Sequence, residues 1–121
     1  MKKYLSLKSV DEWNQYKISN KNIETIVFKF SPTCSISSSA ENRINSWYAD
    51  LEESVDLNIV KIDVINSRLL SQSLADEFNI IHQSPQVIWL DKNGNIKWNA
   101  SHHKITKEAL EEILNGKKVS S

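Results

Sequence analysis

The chain has 121 residues, with 15 basic and 15 acidic side chains and a formal net charge of zero. That length fits one domain, 1–121, which buries roughly two-thirds of the surface its unfolded chain exposes, enough for a core without staples. The charge balance supplies no basic patch for nucleic acid or an anionic membrane, and no run of about 18 apolar residues is present to span a bilayer.

Met1-Lys2-Lys3-Tyr4-Leu5-Ser6-Leu7 begins with the charge of a signal n-region, but Lys8, Asp11 and Glu12 interrupt before any apolar h-region develops. A cytoplasmic location is the expectation. The single cysteine fits it, because a reducing compartment has no use for structural disulfides.

A short strand at Tyr4–Leu7 is admissible at the start. Ser9 and Glu12 form a capping-box pattern that predicts a helix from about Val10 to Lys17, with Trp13 and Tyr16 on its buried face. Thr25–Phe30 is a β-branched apolar run and reads as a central strand. It ends at Ser31-Pro32-Thr33-Cys34, a strand-to-helix turn. Ile36, Ala40, Ile44, Trp47, Tyr48 and Leu51 then recur at helical spacing, which places Cys34 at the N-terminal edge of a long amphipathic helix. Ile59–Val64 is a second strand. Asn66 or Ser67 can cap a third helix whose apolar stripe is Leu70, Leu74 and Phe78. Val87–Leu90 is a third strand, reached through Ser84-Pro85. Asp91–Asn95 is a hairpin turn in which Asn93-Gly94 would supply positive φ, and Ile96–Trp98 return antiparallel. A last helix starts near Thr106, turns Ala109, Leu110, Ile113 and Leu114 inward and stops at Gly116. Strands alternating with helices predict an α/β protein with a parallel core and an antiparallel closing hairpin. The order matches a thioredoxin-like fold, a central mixed sheet of four to five strands flanked by helices.

Cys34 is the candidate nucleophile. A helix N-terminus presents unpaired N–H groups and partial positive charge, and both favour a thiolate over the thiol. A buried structural cysteine is the alternative. Ser37, three residues on, stands where a dithiol enzyme would hold its second cysteine. Its hydroxyl either donates to the Cys34 thiolate or is an ordinary serine of the first helical turn. Pro85 is either a trans proline opening a strand or a cis proline facing the cysteine turn, where Ser84 and Pro85 would pair with an extended disulfide substrate. His82, His102 and His103 are either exposed loop residues or, for one of them, a partner of the thiolate. His102 is the best placed, since the loop after the last strand should end beside the cysteine turn. The adjacent histidines are not a metal signature, because no second set of ligands has suitable spacing. Trp13, Trp47 and Trp89 read as core, whereas Trp98 can wall the groove beside the cysteine.

Three segments carry a family resemblance. Thr33-Cys34-Ser35-Ile36-Ser37 is similar to the Thr-Cys-Pro-Ile-Ser segment of the monothiol bacilliredoxin (YtxJ-like) family. His82-Gln83-Ser84-Pro85-Gln86 resembles the family's His-x-Ser-Pro-Gln, and Trp98-Asn99-Ala100-Ser101-His102 followed by Ile105-Thr106 resembles its Trp-x-x-Ser-His and Ile-Thr. The resemblance runs from about Ser9 to Leu114. Its departure is Ser35, where the family usually has proline. Serine keeps an N–H that can help the thiolate but loosens the turn.

The resemblance implies a thioredoxin-fold oxidoreductase that takes bacillithiol, a cysteine–glucosamine–malate thiol, off protein mixed disulfides. Cys34 would attack. Thr33, Ser35, Ser37, Ser84, Pro85, Trp98 and His102 would bind substrate or support the thiolate. Bacillithiolated proteins would be the partners, and a second bacillithiol or another redoxin would resolve the intermediate. No metal or tightly bound cofactor is implied; bacillithiol is the thiol co-substrate. Two other readings stay open: a monothiol redoxin for other low-molecular-weight thiol adducts, and a non-catalytic binding module that keeps the fold. Sharing of an iron–sulfur cluster is disfavoured, because no glycine follows the cysteine as it does in monothiol glutaredoxins.

Overall fold

The structure is a computed structural model and describes residues 2–116. Met1 and the last five residues lie outside it.

Five strands form one sheet in the order β1-β3-β2-β4-β5. They are β1 (Tyr4–Ser6), β2 (Glu24–Phe30), β3 (Leu57–Asp63), β4 (Gln86–Leu90) and β5 (Ile96–Ser101). β1, β3 and β2 are mutually parallel, β4 runs antiparallel to β2, and β5 is antiparallel to β4. The helices are α1 (Val10–Ser19), α2 (Ser35–Ala49), α3 (Arg68–Phe78) and α4 (Lys107–Leu114), with a 3-10 turn at His102–Lys104. This is the mixed, helix-flanked sheet that the alternating pattern predicts.

Strand alternation divides the core in two. Ile26, Phe28, Val87 and Trp89 pack against Ala40, Ile44 and Trp47 of α2 and Leu110 of α4. Val27, Val60, Ile62 and Ile88 pack against Trp13 and Tyr16 of α1 and Leu70 and Leu74 of α3. β2 is covered on both faces, which is why its sequence reads as a continuous run rather than an alternation.

The capping box of α1 forms as expected. Glu12 N–H donates to Ser9 Oγ at 3.1 Å, and Ser9 N–H donates back to the Glu12 carboxylate at 3.2 Å. Ser67 takes the N-cap position of α3 but makes no side-chain cap. Three expectations change. The Asp91–Asn95 turn uses positive φ only at Gly94 (83°), because the Asp91 carboxylate instead holds the chain by accepting the N–H groups of Asn93 and Asn95. β5 runs past Trp98 to Ser101, since Asn99 and Ser101 pair with Ile88 and Gln86. Finally, Trp98 is a core residue beside Ala100 and Leu110, not a groove wall; its place on the covered face of β5 turns it inward.

Candidate active site

β2 delivers the chain to a β-turn at Ser31-Pro32-Thr33-Cys34, closed by Cys34 N–H donating to Ser31 O at 3.2 Å. Proline suits the second position of such a turn, because its fixed φ is already the one required. Cys34 is then the N-cap of α2, with extended backbone (φ −107°, ψ 124°), and its carbonyl accepts the Ser38 N–H. The side chain is partly exposed and makes no full capping bond. Even so, the backbone N–H of Ser37, then that of Ile36, and the Ser37 hydroxyl hold the Cys34 thiol below its ordinary pKa.

Ser37 is buried, and its Oγ accepts the Ser31 N–H at 3.1 Å. That bond fixes the hydroxyl and leaves its hydrogen free to turn toward the sulfur. One side chain thus ties the end of β2 to the first turn of α2 and supports the thiolate. Thr33 and Ser35 are exposed on either side of Cys34.

The Ser84–Pro85 peptide bond is cis. The register Lys29↔Gln86 sets it at the same edge of the sheet as the end of β2 that feeds Cys34. Pro85 O accepts the N–H of His102 at 3.0 Å, and His102 holds a left-handed φ of 55°. Such a φ is unusual for a residue with a side chain, and here it bends β5 sharply into the 3-10 turn. Ser84 Oγ is enclosed with no hydrogen-bond partner among the described residues.

The bend separates the two histidines. His102 lines a hollow of about 590 Å³ with Gln83, Gln86, Asn99 and Lys104, which no α2 residue borders. His103, not His102, turns to the cysteine side, where it shares a hollow of about 200 Å³ with Ser35, Ile36, Ser39 and Arg43. The structure therefore brings Thr33, Cys34, Ser35 and Ser37 together, sets Ser84-Pro85 at the same sheet edge, and places Trp98 in the core and His102 in the hollow it shares with Gln83 and Lys104. Among the described residues, no group of three or more His, Cys, Asp or Glu is placed to hold a metal ion.

Beneath this edge lies a residue that the sequence reading passed over. Lys29 of β2 is fully buried, donates from Nζ to Ser71 O at 2.9 Å and lies 3.4 Å from His82 Nδ1. Burial pushes its pKa down to about 8. Burial, with the charges of Lys29 and Arg68, also lowers the His82 pKa, so the ring that faces Lys29 favours its neutral form.

The profile of a family described as "Monothiol bacilliredoxin BrxC" matches residues 5–110. The chain belongs to this family. Its single cysteine makes this bacilliredoxin monothiol, and its activity is that of a thiol–disulfide oxidoreductase. A solved structure described as a candidate oxidoreductase with a thioredoxin fold is 30% identical, with a TM-score of 0.77 over 91% of this chain and 92% of that one. Thioredoxin from Fasciola hepatica shares the fold at 13% identity (TM-score 0.73, 93% of this chain, 98% of that one). So does a thioredoxin from Nicotiana alata at 24% identity (TM-score 0.70, 95% and 93%). No helix among the described residues of this bacilliredoxin is long and apolar enough to cross a membrane.

Proposed function

We propose that this bacilliredoxin removes bacillithiol from protein mixed disulfides in the cytoplasm, with Cys34 as the nucleophile. The observation that supports this most is the partly exposed Cys34 at the N-cap of α2, its thiol acidified by the Ser37 and Ile36 N–H groups and the Ser37 hydroxyl.

The Cys34 thiolate attacks the bacillithiol sulfur of the capped protein. A Cys34–bacillithiol bond forms as the original S–S bond breaks, and the electron pair leaves on the substrate cysteine, which departs as a thiolate. The amides that stabilise the attacking thiolate also favour its return as a leaving group in the second half of the cycle. There, a second bacillithiol thiolate, or another redoxin, attacks the bacillithiol sulfur on Cys34. Oxidised bacillithiol, or a mixed disulfide of that redoxin, departs and Cys34 is restored. An external thiol is needed because the chain carries no second cysteine. The Pro85 carbonyl is engaged by His102, so backbone pairing with an extended substrate falls to Ser84. Ser37 supports the thiolate, and Thr33 and Ser35 border the incoming sulfur.

The test is intact-protein mass after mixing with a bacillithiol-capped protein. The expected result is one bacillithiol adduct on Cys34, appearing as the cap leaves the substrate, and none in Cys34→Ser. A substrate that keeps its cap while Cys34 stays free would overturn the reading.

A further inference from the structure

We propose that the hollow of about 200 Å³ between the first turns of α2 and His103 is a carboxylate subsite for the low-molecular-weight thiol that exchanges at Cys34. The inference rests on the reading of Cys34 as the attacking thiolate and adds what recognises the rest of the small thiol.

The hollow begins one residue after the nucleophile. Ser35, Ser39 and Arg43 are spaced four apart, so they form one stripe along α2 that leads away from Cys34. His103 closes the stripe from the 3-10 turn, and exposed Ile36 adds an apolar wall. A small thiol joined through its sulfur to Cys34 therefore has this hollow next to its point of attachment. The larger hollow at His102 and Lys104 is also polar, but no residue of α2 lines it.

The chemistry of the lining selects an anion. Arg43 is half-buried, and its Nε donates to Ile105 O at 2.7 Å. That bond orients the guanidinium and leaves its two Nη groups to form the planar fork that fits a carboxylate. Among the described residues, no carboxylate lines the hollow; Glu41, nearby in sequence, pairs with Lys61 instead. Two hydroxyls and an imidazole surround the fork as further hydrogen-bonding groups. A cation held in place, in a lining without carboxylates that begins one residue after a reactive cysteine, is suited to a small thiol that carries carboxylates. The malate of bacillithiol has them, and so does glutathione; the experiment separates the two.

The rate of mixed-disulfide formation on Cys34 would be followed by quenched intact-mass measurement with three probes. Bacillithiol disulfide and glutathione disulfide carry carboxylates, and hydroxyethyl disulfide carries no charge. The readout is the ratio of each carboxylate-bearing rate to the neutral rate, which cancels any general change in Cys34 reactivity. Arg43→Gln should lower that ratio about tenfold, the scale of one charge-assisted hydrogen bond. His103→Gln, on an exposed turn where folding is not at stake, should lower it severalfold, and Arg43→Lys should restore part of it. Loss for both carboxylate probes marks a general carboxylate subsite; loss for bacillithiol alone marks one shaped to its malate, and either supports the proposal. Ratios unchanged in both Gln variants, with Cys34 still reacting, would overturn the subsite alone. Failure of all three disulfides to react would overturn the exchange reading itself, and the subsite with it.

Discussion

Ser37 takes the place a resolving cysteine would occupy, and its hydroxyl does two things there. It accepts the Ser31 N–H at 3.1 Å and helps to lower the Cys34 pKa. Ser37→Ala removes both effects while the backbone N–H groups remain. The pH at which Cys34 becomes half-reactive toward iodoacetamide should therefore rise, yet stay below the usual thiol value, because the Ser37 and Ile36 amides act first. Stability should fall by about 1 kcal/mol for the Ser31 N–H left without its acceptor. An unchanged inflection would mean that the hydroxyl points away from the sulfur. At this scale the sequence showed what is local. Cys34 and Ser37 follow from a strand end, a turn and a helix start within a few residues. The meeting of Arg43 with His103 was not legible, because it comes about only when the chain returns from β5. The choice between adjacent histidines depends on a backbone bend at His102 that no residue pattern announces.

Among the elements, α4 shows how much depends on a cap. It is eight residues long, short for a helix to hold by itself, and it covers one core face with Ala109, Leu110 and Ile113. Thr106 Oγ1 accepts the Ala109 N–H at 3.1 Å. Thr106→Ala should cost about 1 kcal/mol in urea unfolding, and Thr106→Ser should recover most of it. If serine is no better than alanine, the methyl of Thr106 matters more than its oxygen. Most elements could be read from apolar periodicity because each buries a face. β5 was cut short at Trp98 because Asn99 and Ser101 look like loop residues. They lie on an outermost strand, on the face opposite Trp98 and Ala100, where Asn99 is exposed and a polar side chain needs no partner from the core. Their pairing with β4, Asn99 with Ile88 and Ser101 with Gln86, identifies them as strand.

The whole molecule is a sheet covered on both faces, and that arrangement gives Lys29 its character. In β2, Ile26 and Phe28 turn toward α2 and α4, so Val27 and Lys29 turn toward α1 and α3. A lysine on a two-sided central strand has no route to solvent. It is fully buried, donates to Ser71 O, and burial alone accounts for the fall of its pKa to about 8. A free lysine titrates near ~10.4. The folded protein therefore gives up this proton more readily than the unfolded chain. Between about pH 8 and ~10.4 the unfolded state holds more protons, so stability should rise with pH across that window. Below about 8 the cost of burying the cation is present in full, on the order of 3 kcal/mol. Lys29→Met keeps the length of the side chain and removes the charge. At pH 7 it should raise the urea midpoint by an amount worth on the order of 1–3 kcal/mol, and its advantage over the parent should shrink steadily as the pH is taken to 10. Measuring both proteins at each pH cancels the titration of the groups that Lys29 does not perturb; His82, whose pKa its charge helps to lower, is the exception. A gap that stays constant with pH would mean that Lys29 keeps its proton throughout. A parent more stable than Lys29→Met at pH 7 would mean that the bond to Ser71 O and the contact with His82 outweigh the cost of the buried charge.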